Sequence, residues 1–288
     1  MTTKTDNGSV CPVSVYLDSR DYSALSNAKR LVNEPDLADA LERLRAFIKA
    51  GKVAVLWSAA HALEMSPESQ EAMEPAFNRL NAMFILSDGV SFMDMASVAR
   101  IERTLSGLPE ACNYALGQWL PNSALPDFNL NPAAYVAQAK EHGLDPTAFK
   151  SAIAALGVDL TATMMQIRNI AQANPDAFAK ENDTNFAQML FKIFTGASEV
   201  VAHALGCRCA GGVMRRLCLV SAKMPREISD SDCADLWHSF YAPYVDVWSG
   251  DGFIAPLVRQ AWPTATVVSG SFTNVVDVIA RKVEERFP

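Results

Sequence analysis

Apolar and polar positions alternate from Val13 to Leu17, just after Pro12, and the run is β-branched and aromatic. That pattern predicts a β-strand. The polar turn Asp18-Ser19-Arg20-Asp21-Tyr22-Ser23 follows it and opens a helical stretch. Between Asp36 and Ala50, Leu37, Leu41, Leu44 and Ile48 recur at helical spacing, with Gly51 as the stop. Lys52 to Trp57 predicts a second strand, followed by a helix from Ser58 or Ala59 to Met65 that Pro67 ends or restarts. Residues 69–83 predict a helix, and Met83 to Leu86 a short strand. From 90 to 225 the helical period runs nearly throughout, with no convincing strand. Pro121, Pro126, Pro132, Pro146 and Pro175 cut this stretch into pieces. Asp145-Pro146 and Asn174-Pro175 each set a capping residue before a proline at the first helical position. The earlier pattern then resumes: a helix from Ser231 to Tyr241, a strand from Tyr244 to Trp248, a helix over 252–261, a strand from Ala265 to Val268 and a helix over 273–286.

Strands alternating with helices predict a parallel sheet with right-handed crossovers. The expected fold is therefore α/β: a parallel sheet flanked by helices, built from residues 12–88 and 228–288. An all-helical insertion over 89–227 interrupts it. No internal repeat or low-complexity tract is present.

Open α/β sheets bind ligands outside the C-terminal ends of their strands. Asp18 ends the first strand, Glu64 sits in the helix after the second, and Asp251 follows the third. Asp232 and Asp235, three apart and so on one helical face, bring a further acid from the helix before the third strand. Either supplies that acid, and both also suit the positive end of a helix. Acids from separate segments converging on one sheet edge predict a divalent metal site. Mg²⁺ and Mn²⁺ take hard oxygen ligands, lower the pKa of bound water and shield phosphate. The candidate metal ligands are Asp18, Glu64, Asp232, Asp235 and Asp251, with Asp18, Glu64, Asp235 and Asp251 as the catalytic set. Ser19, His238 and Ser249 are candidates for supporting roles. His61 stands open between packing and function.

Charge and composition narrow the classes. The chain has 288 residues, half of them apolar and a fifth charged, which is ordinary for a soluble protein. A net charge of −7 argues against a general nucleic-acid coat protein, which needs Lys and Arg for phosphates. The charge is uneven: Val200 to Arg226 holds Arg208, Arg215, Arg216, Lys223 and Arg226 and no acid. That stretch reads either as a solvated helix face or as a phosphate patch. No apolar run approaches the roughly 20 residues that span a bilayer. The polar first residues show no secretion signal, so a cytoplasmic protein with no membrane contact is expected. Its six cysteines are scattered, with only Cys207 and Cys209 close, and free thiols are expected.

Three segments together resemble the PIN-domain nucleases. They are Val15-Tyr16-Leu17-Asp18-Ser19; the strand and helix from Leu56 to Glu64; and Asp232 to His238 running on to Tyr244 through Asp251. The resemblance covers about residues 12–88 and 228–288. It implies a small parallel sheet flanked by helices, three or four acids binding Mg²⁺ or Mn²⁺, and hydrolysis of RNA, often as a toxin or processing enzyme. Under it, Arg20, Arg208, Arg215, Arg216, Lys223 and Arg226 become candidates for RNA contact. Two positions depart from the family: Arg20 stands where Asn is common, and Ser249 where Thr is common. The helical insertion has no counterpart in the resemblance; its apolar length suits a homo-oligomer interface. The alternative is a PIN-like protein that has lost catalysis and serves as a binding or scaffold module. A haloacid-dehalogenase-type phosphatase would need an acid where Arg20 stands. The chain also lacks a phosphate-binding loop and a Gly-x-Ser-x-Gly elbow.

Overall fold

Strand β1 (Val13–Tyr16) is buried on both sides of the sheet, with Ser14 partly exposed. Val13 and Val15 enter one hydrophobic cluster and Tyr16 enters the other. This alternation repeats in β2 (Val53–Leu56), where Val53 and Val55 face one way and Leu56 the other. The computed structural model describes residues 10–104 apart from 68, 70 and 89, then 116–118, 137, 141, 145, 148–196, 204–224 and 226–288.

With β5 (Val247–Ser249) and β6 (Thr266–Val268), these strands form a four-stranded sheet in the order β2-β1-β5-β6, parallel throughout. Expected strands 13–17 and 244–248 thus share one sheet. Asp246 ties its start together, accepting hydrogen bonds from Ser14 N and Oγ at 2.8 Å and an ion pair from Arg286. On one face lie α3 (Pro35–Lys49), α5 (Met73–Ser87) and α13 (Phe272–Arg286). Pro35 starts α3, and Leu37, Ala40, Leu41 and Leu44 form its buried stripe.

The other face carries the helices of the expected insertion. These are α7 (Ala148–Ala173), α9 (Asp183–Thr195) and α10 (Leu205–Lys223), joined by α11 (Asp230–Ser239) and α12 (Ile254–Ala261). Their buried side chains form one cluster with Tyr16, Leu56 and Trp248, so this stretch is built into the sheet's own core. Gly211 lets α10 approach α9 closely: a Cβ there would meet the Ala187 backbone nitrogen at 2.5 Å. Pro175 opens α8 (Pro175–Ala179) as expected, with Asn174 capping Ala177 N. Pro121, Pro126, Pro132 and Pro146 lie outside the described residues.

Two expectations need correction. Met83 to Leu86 are helical, within α5, because Ala76, Phe77, Leu80, Met83, Phe84 and Ser87 continue one buried stripe. Nor is the stretch after residue 89 free of strands: β3 (Val90–Phe92) pairs antiparallel with β4 (Leu116–Gln118). Phe92 N also donates to Trp57 O at 2.7 Å, which fastens β3 beside the end of β2. The chain before β5 makes a 3-10 turn over Ala242–Tyr244, so that strand starts later than expected. Among the described residues no helix is long and apolar enough to cross a membrane. Cys11, Cys207, Cys209, Cys218 and Cys233 are free thiols.

Candidate functional site

The chain leaves β1, β2 and β5 at the same edge, and a cleft of about 410 Å³ opens there. Asp18, Glu64, Asp235 and Asp251 all line it. Asp18, Glu64 and Asp251 are held by the start of a helix or by a neighbouring side chain. Asp18 caps α1 (Ser19–Leu25), its Oδ1 accepting Arg20 N at 2.8 Å. Asp251 caps the turn into α12, where its Oδ1 accepts Phe253 N and Ile254 N, both at 2.7 Å. Glu64 projects from α4 (Ala59–Met65), and Asp235 comes from α11.

These carboxylates differ in charge state. Burial pushes Asp235 up to about 7; His238 opposes the shift, while the charges of Asp251, Asp18 and Glu64 add to it. Burial also raises Asp18 above its ordinary value. For Glu64 burial works upward too, yet the His238 hydrogen bond and charge carry it down to about 2. Its Oε2 accepts Ser19 Oγ at 2.5 Å and His238 Nε2 at 2.9 Å. Burial alone would lower His238, and Glu64 reverses that and raises it. Behind it, His238 Nδ1 meets Tyr16 OH at 2.7 Å, and Tyr16 OH meets Ser58 Oγ at 2.6 Å. A hydrogen-bonded chain thus runs from the buried sheet out to Glu64. His61 is spent on architecture. Ser58 N donates to its Nδ1 at 3.2 Å, so its Nε2–H donates to Leu17 O at 2.6 Å. Burial holds it neutral, well below the ordinary histidine value.

Asp232 does not line the cleft. It closes a capping box at the start of α11, accepting Ser229 N at 2.7 Å and Arg226 Nη2 at 2.7 Å, fully buried. Of the two competing acids, Asp235 is the one on the cleft. Ser249 donates to Asp21 Oδ2 at 2.8 Å, so its support reaches Asp18 indirectly: the same oxygen accepts Asp18 N at 3.1 Å. Asp21 is 3% exposed, and burial and then the Asp18 charge push it up to about 6.

The basic stretch does not form one patch. Arg215 and Arg216 both turn to Asp183, at 2.5 and 2.8 Å, and keep only 12% and 18% of their side chains exposed. Arg208 lies over the Trp262 ring at 5.7 Å, and Lys223 is exposed in the last turn of α10. Of these residues Arg226 alone lines the cleft, where its guanidinium stacks 4.2 Å over Phe253. Arg20 also lines it and ties two strand ends together by donating to Gly250 O at 2.8 Å. Arg20 Nε and Arg226 Nη1 are buried without a hydrogen-bond partner, and such unmet donors cost about 1–3 kcal/mol each.

Sequence reading missed three residues here: Asp21, Arg79 and Phe253. Asp21 stood three after Asp18, the spacing of a capping box, and Phe253 two after Asp251. Arg79 carried no local signal. It makes no ion pair or hydrogen bond with any described residue, though it lines an acidic cleft. Among the described residues, no group of three or more His, Cys, Asp or Glu is arranged to enclose a metal ion directly.

Fold and cleft define an α/β protein with a parallel sheet and an acid-lined cleft at the carboxyl ends of its strands. Compared with known proteins, the chain matches no family model, no curated protein and no solved structure.

Proposed function

We propose that this chain is a PIN-like, metal-dependent ribonuclease that hydrolyses phosphodiester bonds in RNA. One observation carries the reading: carboxylates from separate segments, Asp18, Glu64, Asp235 and Asp251, share one cleft with Arg20, Arg79 and Arg226. Acids crowd negative charge there, and arginines suited to phosphate stand among them.

The donor set suits Mg²⁺ or Mn²⁺. Two of the acids are raised in pKa, chiefly by burial, and a bound cation would favour their ionised forms. Mg²⁺ usually binds through one or two carboxylates and keeps several waters, so a direct cage of three acids is not required. Asp18, Glu64, Asp235 and Asp251 would hold the ion. Once bound, the ion supplies an activated water and charge shielding at the phosphate. The chain's own residues do the remaining work. Ser19 and His238 hold Glu64 ionised and in place. Asp21 fixes the Asp18 backbone. Arg79, which makes no ion pair with any described residue, favours an approaching phosphate oxygen.

The test is cleavage of a panel of RNAs by purified protein with Mg²⁺ or Mn²⁺, with and without EDTA. Asp18→Asn should remove most of the activity and keep the fold, because Asn caps a helix as well as Asp does. Cleavage that survives both EDTA and Asp18→Asn would refute the proposal. The second reading is a PIN-like binding module without catalysis. The lack of a ready-made three-acid cage among the described residues favours it. RNA binding without metal-dependent cleavage would select it.

A further inference from the structure

We propose that Arg226 and Phe253 form a stacking platform for one unpaired base of a single-stranded RNA, with Arg79 holding a phosphate of the same strand. This rests on the nuclease reading above and names the part of the cleft that selects the strand.

The platform is built before any ligand arrives. The Arg226 guanidinium carbon lies over the Phe253 ring, 4.2 Å from its centroid. Its Nη2 donates to Asp232 Oδ1 at 2.7 Å, and Asp232 is itself locked by Ser229 N at 2.7 Å. Phe253 is tied to the acid cluster, since its N–H donates to Asp251 Oδ1 at 2.7 Å. The position of the stack relative to the carboxylates is therefore set by hydrogen bonds. Both side chains keep part of their surface open on the cleft. Nothing in the capping of α11 requires an aromatic ring at residue 253, because Ser229 and Asp232 complete that capping box between them.

Arg79 reaches the cleft from α5, which follows β2, whereas Phe253 follows β5. In the sheet, β1 and its Asp18 lie between those strands. A strand crossing the carboxylates would therefore meet a cation from one side and a flat surface from the other. Flat guanidinium and aromatic surfaces bind bases that are out of the helical stack, which a duplex does not offer. An unpaired arginine supplies a phosphate contact without reading sequence.

The experiment measures fluorescence anisotropy of short labelled RNAs with the full chain, in Ca²⁺ to hold the acids' charge. The probes are a single strand, the same strand with abasic sites, and a duplex. Phe253→Leu keeps an apolar side chain and removes the flat ring. It should weaken single-strand binding roughly 5- to 100-fold, as loss of one stacked base does. Binding of the abasic strand should not change. Arg226→Gln should weaken the intact strand more than the abasic one, with thermal melting to verify the fold, since it also removes the ion pair of Asp232. Arg79→Gln should weaken intact and abasic strands equally and reduce the salt slope by about 0.7, the value of one phosphate on a single strand. If wild type binds the duplex but no single strand, the platform alone is overturned; if it binds neither, this inference falls together with the nuclease reading. If wild type binds and Phe253→Leu binds both strands equally well, only the platform is overturned.

Discussion

Asp235→Asn should stabilise the metal-free protein, increasingly as pH rises from about 4 to about 7. In the unfolded chain this carboxyl ionises near the ordinary value of about 3.9. In the fold it ionises at about 7, chiefly because burial disfavours the charge. Between those values the folded state holds a proton that the unfolded state has lost. Stability therefore falls as pH rises from about 4 to about 7 and is level above that window. At about 1.4 kcal/mol per pH unit, the ceiling is about 4 kcal/mol. Solvent reaches part of the side chain and screens it, so about 1–2 kcal/mol is the expected gain at pH 8. Asn keeps the size of the side chain and removes the charge. The assay is urea unfolding of wild type and variant at about pH 4 and about pH 8, with chelator present and the m-values compared. Near pH 4 the gap should shrink to about 0.5 kcal/mol, because wild-type Asp235 is then protonated in the fold and still about half protonated in the unfolded chain. An excess of Mg²⁺ or Mn²⁺ at pH 8 should close the gap, since an ion that binds only the native wild type stabilises it by mass action. A variant less stable than wild type at pH 8, or a gap that is the same at both pH values, would refute this account of the cleft.

Two further outcomes test the surroundings. Gly211→Ala forces a Cβ to within 2.5 Å of the Ala187 backbone, so it should cost about 1–3 kcal/mol in chemical denaturation; a neutral result would mean that α9 and α10 are free to part. Arg215→Gln with Arg216→Gln should lower stability by about 1 kcal/mol through loss of the Asp183 contacts, while RNA affinity and its salt slope stay as in wild type; a shallower slope would return these arginines to the nucleic-acid surface.

The sheet was legible wherever the chain punctuates its apolar runs. Pro12 precedes β1, Gly51 precedes β2, and Pro263 and Gly270 bracket β6. Met83 to Leu86 lacks such marks. An apolar run of that length has no period of its own, and only its continuity with Phe77 and Leu80 makes it helical. Strand β3 was hidden because its partner, Leu116–Gln118, lies far along the chain. The periodicity of the long helical stretch showed that its helices bury one face. It could not show that the buried face is the sheet itself, since that depends on Tyr16, Leu56 and Trp248 lying on the side opposite Val13 and Val15.

The site was legible to the same depth. Topology places acids at strand ends, so Asp18, Glu64 and Asp251 could be picked from sequence. The choice between Asp232 and Asp235 was also written there, in Ser229 three residues before Asp232: that spacing is a capping box and claims Asp232 for the helix start. What no local pattern carries is the charge state of each acid. Glu64 is ionised because Ser19 and His238 converge on one of its oxygens, and His238 is held in turn by Tyr16 and Ser58. Asp235 accepts no such hydrogen bonds among the described residues, and burial drives it toward the neutral form. One cleft therefore holds a carboxylate fixed as an anion beside another poised near neutrality. A divalent cation entering beside Glu64 would draw the proton off Asp235, so metal binding should release protons near pH 7 and not at pH 9.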